Sequence, residues 1–115
     1  MEAREISVTV AEILDNKKAR DIKILDISAL TTISEFFVIC SAGSTTQVKA
    51  LAGNVCEKMS EKGIEPLRTE GYRSCEWVLI DYGCVVVHIF KEDIRGFYNL
   101  EHLWGDAESI AFETK

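Results

Sequence analysis

Gly43 and Ser44 form the one segment of the sequence that resembles a phosphate-binding turn. A Gly-Ser pair between a strand and a helix can present backbone N–H groups to a phosphate. Nucleotidyl transfer also needs two carboxylates, two residues apart on a strand, to hold divalent metals. Of the 19 acidic residues, only Asp106 and Glu108 have that spacing, and they lie near the C-terminus, away from any apolar strand. This speaks against a metal-dependent transferase and favours Ser44 as a helix N-cap.

The cysteines and histidines do not form a recognisable reactive pair. Cys75, Cys84, His88 and His102 include no closely spaced pair of the kind that binds zinc. Cys84 and His88 would share one strand face, but four residues of strand separate them too far for a direct hydrogen bond. The sequence therefore predicts a protein that is not an enzyme, with no catalytic residues, no metal and no cofactor.

Two helices are predicted from capping boxes and apolar spacing. The box at 9–12 and the apolar residues around it favour a first helix that ends near Lys18. The box at 44–47 opens a second helix, which Gly63 ends. Its apolar residues recur on one face, as expected for a helix that packs on a sheet: Val48, Leu51, Ala52, Val55, Cys56 and Met59.

The strands are predicted from short apolar runs. Residues 21–26 are rich in β-branched side chains, and residues 35–40 form a continuous apolar run that is typical of a buried central strand. Residues 64–69 suit a third strand that Pro66 interrupts early. Together with the helices, these runs predict an α/β (α+β mixed) fold, with a mixed sheet and helices packed mainly on one face.

Residues 75–90 read as a β-hairpin. A two-residue loop at Tyr82 and Gly83 would place Trp77 opposite His88. Alternation then gives one wholly aliphatic face, formed by Val78, Ile80, Val85, Val87 and Ile89. The other face mixes aromatic, imidazole and carboxylate groups: Cys75, Trp77, Leu79, Asp81, Val86, His88 and Phe90. Either a terminal helix or a partner molecule covers this second face.

The C-terminal part is predicted to contain a helix followed by a tail. The helix begins near Glu92 and carries an apolar stripe of Ile94, Phe97, Tyr98, Leu100, Leu103 and Trp104. Beyond Gly105 the acidic segment has little pattern. We therefore expect a single domain over 1–115, with a core at about 5–104 and a tail at 105–115.

The charge of the chain favours a basic protein as the partner. Lys and Arg number 13 against 19 Asp and Glu, for a net charge of −6. From Cys75 onward, three bases oppose eight acids, a net charge of −5. Nucleic-acid binding is driven by cationic side chains, so direct sequence-specific nucleic-acid binding is not expected. With no signal peptide and no run of eighteen apolar residues, the sequence favours a cytoplasmic protein without membrane contact.

Several independent motifs resemble the Iojap-like ribosomal silencing factor family. They are Asp21-Ile22…Leu25-Asp26, Phe37-Val38-Ile39-Cys40-Ser41-x-Gly43-Ser44, Glu70-Gly71, Trp77-Val-Leu-Ile-Asp81-Tyr82-Gly83, Val87-His88-Ile89-Phe90 and Tyr98-x-Leu100-Glu101-x-Leu103-Trp104. The resemblance implies a nucleotidyltransferase-like fold without the metal carboxylates. It also implies a translational repressor that binds ribosomal protein number fourteen of the large subunit and sterically blocks the small subunit.

Carried over from the family, six residues are the expected partner contacts: Glu70, Trp77, Asp81, His88, Tyr98 and Glu101. Trp77 would be the apolar anchor, since tryptophan is enriched among binding hot spots. Two alternatives stay open. One is a nucleotide-binding or nucleotidyltransferase-type protein that uses the Gly43-Ser44 turn, and the other is a homodimer formed through the exposed aromatic face.

Overall fold

The computed structural model describes residues 1–32, 34–98 and 108–110, of which 97, 98 and 108–110 are described by their backbone only. Within these residues, three helices and six strands follow one another in this order: α1 Ala3–Asn16, β1 Arg20–Asp26, β2 Phe36–Ala42, α2 Thr45–Glu61, β3 Arg68–Glu70, β4 Trp77–Asp81, β5 Val85–Lys91, α3 Glu92–Tyr98 and β6 Glu108–Ile110. No helix within these ranges is both long and apolar enough to cross a membrane.

The six strands form one sheet in the order β3-β4-β5-β2-β1-β6. The central strands β2 and β5 are parallel, whereas the other described pairs are antiparallel. The parallel pair requires a long connection, and α2 with the β3–β4 hairpin provides it. The mixed sheet that the sequence predicts is therefore confirmed, while its likeness to nucleotidyltransferases stays a prediction.

Helices α1 and α2 cover one face of the sheet. Their apolar sides pack with the aliphatic face of the hairpin in one buried cluster, and that face is the predicted one: Val78, Ile80, Val85, Val87 and Ile89. Cys75 also belongs to this cluster, so its predicted place on the second face is wrong. It precedes β4 and has a φ of 56°, and strand alternation does not extend to such a residue.

Helix α3 lies on the opposite face of the sheet. Its Ile94 packs against a second buried cluster, formed by Leu25, Ile27, Ile39 and Phe90. Two helices on one face and a short third on the other agree with helices packed mainly on one side. Of the predicted apolar stripe, Leu100, Leu103 and Trp104 lie outside the described residues.

Three element boundaries differ from the predictions. Helix α1 begins at Ala3 without a side-chain cap, so Thr9 lies within the helix and the capping box predicted there is wrong. Tertiary packing of the apolar side outweighs the missing cap. Strand β3 is limited to Arg68–Glu70. Residues 108–110 of the tail, predicted to be without pattern, form β6 on the edge of β1, and three residues are too few to show alternation.

The register of the β4–β5 hairpin also differs from the prediction. Trp77 pairs with Phe90 rather than with His88, because the loop consists of Gly83 and Cys84. The backbone N–H of Tyr82 donates to the carbonyl of Val85 at 2.8 Å, which closes this turn. Gly83 has a φ of 86°, as the first of the two central positions of a type II′ turn requires. A shift of two residues preserves the parity of every strand position, so the predicted faces survive.

Gly71 allows the chain to pass directly beneath β4. Its φ is 89°, and a Cβ atom at this position would lie 2.0 Å from the carbonyl oxygen of Trp77. Backbone atoms cannot yield as a flexible side chain would. The close approach therefore requires glycine here and fixes the backbone on which Trp77 stands.

We expect Gly71→Ala to lower the free energy of unfolding by about 2–4 kcal/mol, because the new methyl group combines a strained φ with a backbone clash. Urea denaturation followed by circular dichroism measures this loss. Gly53→Ala is the control, since Gly53 is exposed in α2 with nothing within 4 Å of the added atom, and it should stabilise by up to about 1 kcal/mol. Equal stability of Gly71→Ala and the wild type would contradict the close approach.

Candidate functional site

The candidate site is the sheet face opposite α1 and α2, which we call the Trp77 face. The strand registers bring side chains from β3, β4, β5, β2 and β1 together on it. By these registers its members are Arg68, Glu70, Trp77, Leu79, Asp81, Val86, His88, Phe90, Phe37, Ile39, Ser41, Leu25 and Lys23. Four of the six predicted contact residues therefore share one face: Glu70, Trp77, Asp81 and His88.

Trp77 is held in a fixed orientation by its neighbours. The indole Nε1–H donates a hydrogen bond to Nδ1 of His88, with 3.1 Å between the nitrogen atoms. The indole also stacks on Phe90 with 4.9 Å between ring centroids. Phe37 packs edge-on against the imidazole at 4.7 Å. Trp77 remains half-buried, so a large apolar side chain is presented to solvent at a preset angle.

His88 supports this arrangement from within the sheet, and only 4% of its surface is exposed. Burial lowers the pKa of His88 from 6.5 to about 4, although the negative charge of Asp81 opposes the change. The ring is therefore neutral near pH 7. Because Nδ1 accepts from Trp77, the proton lies on Nε2, which is buried and has no hydrogen-bond partner among the described residues.

Acidic groups occupy the end of the Trp77 face near the hairpin turn. One carboxylate oxygen of Asp81 accepts from the backbone N–H of Gly83 at 2.7 Å. The other oxygen, Oδ2, accepts from Nε of Arg68 at 3.2 Å. Nη1 of the same arginine lies 3.8 Å from a carboxylate oxygen of Glu70. Arg68 thus contacts both acids, and the sequence reasoning missed it.

A groove of about 330 Å³ opens on this face beside Asp81. Its apolar floor is formed by Phe37, Leu79 and Val86, while Arg68 and Asp81 form a polar wall. His88 also borders the groove, whereas Trp77 lies outside it. The Trp77 face therefore combines an aromatic anchor with a neighbouring cleft whose polar side is the Arg68–Asp81 ion pair.

Polar contacts fix α3 at the far side of the face. Arg95 donates to Oγ of Ser41 at 2.8 Å and to the backbone carbonyl of Asp21 at 2.7 Å. Glu92, the first residue of α3, forms an ion pair with Arg20. The other two predicted contact residues, Tyr98 and Glu101, come after the start of α3 in the sequence. The side chain of Tyr98 and all of Glu101 lie outside the described residues.

The Gly43-Ser44 turn serves the helix that follows it. Oγ of Ser44 accepts from the backbone N–H of Gln47 at 3.1 Å, which confirms the predicted N-cap. The side-chain oxygen of Gln47 in turn accepts from the backbone N–H of Gly43 at 2.8 Å. A phosphate would have to displace this amide to reach that N–H. In the part of the chain that the structure describes, no group of three His, Cys, Asp or Glu residues is placed to hold a metal.

Comparison with known proteins gives a consistent result over the whole chain. The family model described as "Ribosomal silencing factor during starvation" matches residues 1–115. Ribosomal silencing factor RsfS of Halalkalibacterium halodurans is 42% identical over 113 residues, which cover 98% of this chain and 97% of that protein. RsfS of Bacillus subtilis is 41% identical over 107 residues, which cover 93% and 91%.

More distant and structural relatives agree with this match. The protein named "Protein Iojap, chloroplastic" from Zea mays is 34% identical over 116 residues, covering 99% of this chain and 50% of that protein. A crystal structure of a protein from Chromobacterium violaceum superposes with a TM-score of 0.89 at 40% identity. That superposition covers 100% of this chain and 95% of the other.

We expect His88 to make the stability of the protein depend on pH. Between about pH 6.5 and pH 4 the unfolded chain protonates this imidazole while the folded chain keeps it neutral. Acidification through that pH window therefore lowers the free energy of unfolding, by up to about 3 kcal/mol at the acidic end of the window. Urea denaturation at a series of pH values measures the slope. His88→Gln keeps a hydrogen-bond acceptor but cannot titrate, so its slope should be shallower. Parallel curves for the two proteins would contradict the assignment.

Proposed function

The chain belongs to the ribosomal silencing factor family, and from that premise we propose that it blocks the joining of the ribosomal subunits by steric exclusion. As a member of this family it is a non-catalytic factor that binds the ribosome and represses translation. The partner we propose is ribosomal protein number fourteen of the large subunit, on the face where the small subunit docks. The compartment we propose is the cytoplasm, where bacterial subunits join.

The observation that carries the proposed binding site is the fixed, half-buried indole of Trp77. Tryptophan contributes a large contact area, and a side chain already held in its bound orientation loses little entropy on binding. The hydrogen bond to His88 and the stacking on Phe90 hold the indole in this orientation before a partner binds. We therefore assign Trp77 as the anchor of the interface.

The carboxylates beside Trp77 support a basic partner. Asp81 and Glu70 lie on the same face, and the C-terminal part of the chain carries most of the excess negative charge. Complementary charge speeds association and fixes the orientation of two proteins. A basic ribosomal protein meets both requirements. Binding to phosphates alone would be opposed by the charge of the chain.

The remaining predicted contacts contribute in different ways in this proposal. His88 is too buried to offer a large contact area, so its role is to orient Trp77. Tyr98 and Glu101 would extend the interface beyond the start of α3, whose position Arg95 fixes. The interface would then run from the groove beside Asp81, across the indole, to the C-terminal part of the chain.

Sucrose-gradient sedimentation of purified ribosomal subunits tests the proposal. Wild-type protein should co-migrate with the large subunit and reduce the peak of joined ribosomes. Trp77→Ala should bind at least about 30-fold more weakly, because truncation of a hot-spot tryptophan costs about 2 kcal/mol or more. The joined peak should then recover.

Val8→Ala is the matched control for this experiment. Val8 is half-buried on α1, on the opposite side of the sheet, so its variant should bind like the wild type. Circular dichroism must show that all three proteins are folded. Failure of the wild type to bind the large subunit would contradict the proposed function. Equal binding by Trp77→Ala would leave the function standing but place the interface elsewhere.

A further inference from the structure

Arg68 joins the two acidic residues that the proposed interface needs. Its Nε lies 3.2 Å from Oδ2 of Asp81, and its Nη1 lies 3.8 Å from Oε1 of Glu70. In the free protein, one arginine of the chain itself therefore partly neutralises both carboxylates. Nothing in the proposed function accounts for a cation at this position.

We propose that Arg68 competes internally with the partner for Asp81 and Glu70. In the free protein it occupies the place that a lysine or arginine side chain of the basic partner takes in the complex. Binding then exchanges one cation for another at the same carboxylates. This inference rests on the proposed function and adds to it a residue that limits which partners bind.

The geometry makes the arginine the exchangeable member of the pair. Its side chain is 61% exposed, whereas that of Asp81 is only 20% exposed. Asp81 is also held through Oδ1 by the N–H of Gly83, so its second oxygen keeps its direction when Arg68 leaves. An exposed ion pair contributes little to stability in water. A fixed acid with a weakly held cation suits exchange.

The groove beside Asp81 fits the side chain of a long cationic residue. Its apolar floor of Phe37, Leu79 and Val86 can cover the methylene groups of such a side chain, while the charged end reaches the acid. His88 borders the same groove and adds no positive charge there, since it is neutral near pH 7. Once Arg68 has left Asp81, the cleft therefore attracts a cation through this carboxylate and covers the methylene groups of its side chain.

Internal competition would raise the selectivity of the interface. A partner must supply a cation that binds the two carboxylates better than Arg68 does, and a partner that lacks one must leave the arginine in place. The difference in affinity between correct and incorrect partners then increases at the cost of absolute affinity. Arg68→Gln should therefore raise the absolute affinity and lower the selectivity between partners.

The test compares wild type, Arg68→Gln and Arg73→Gln for binding to purified large ribosomal subunits at low and at high salt. Arg73 is an exposed arginine in the loop before β4, so its variant controls for the change in net charge. We expect Arg68→Gln to bind about three- to tenfold more tightly than wild type at low salt, and Arg73→Gln to differ by less than twofold. Asp81→Asn in addition to Arg68→Gln should abolish the gain.

Each other outcome overturns the inference in a distinguishable way. Weaker binding by Arg68→Gln would make the arginine itself a contact with the subunit. If the wild type binds and Arg68→Gln binds equally tightly, Arg68 does not compete with the partner, and the proposed function still stands. If folded wild type does not bind the large subunit, the proposed function fails, and the inference fails with it.

Discussion

Burial of strand β5 on both faces is the constraint on which the rest of the molecule depends. All six residues from Val85 to Phe90 are buried, so each side of the sheet needs a covering layer. Helices α1 and α2 provide the layer on one side with ordinary aliphatic packing. On the other side the same burial keeps His88 neutral, and a neutral imidazole can accept the indole hydrogen bond of Trp77. The proposed anchor therefore depends on the central strand.

Local patterns in the sequence were sufficient to predict which residues lie on each face of the sheet. They were insufficient to predict which residues are neighbours across adjacent strands. Alternation assigned Trp77 and Val78 to opposite faces, because parity along one strand needs no knowledge of its partner. The predicted register was wrong by two residues because the loop is Gly83-Cys84, closed by the Tyr82 N–H on the Val85 carbonyl, and the residue types alone do not reveal which pair forms the loop. Arg68 was missed for a related reason, since its contacts cross from a three-residue strand to its neighbour.

The turn before α2 resembles a phosphate-binding turn in its residue types but caps a helix in a protein without catalysis. Gly43 and Ser44 stand between a strand and a helix, but the sequence has no two carboxylates two residues apart on an apolar strand, which speaks against transfer chemistry. The structure gives the local reason, because the amide of Gln47 receives the N–H of Gly43. Function in such a protein resides in its surfaces and not in its fold class.

The shortness of β3 has a consequence for the behaviour of the protein in solution. Strand β3 forms one edge of the sheet, and its outer backbone groups could extend the ladder with a strand from another molecule. It offers only three residues, all of them exposed, and two carry opposite charges. So short and charged an edge is a poor template for edge-to-edge growth. One margin of its sheet is therefore protected from edge-to-edge aggregation.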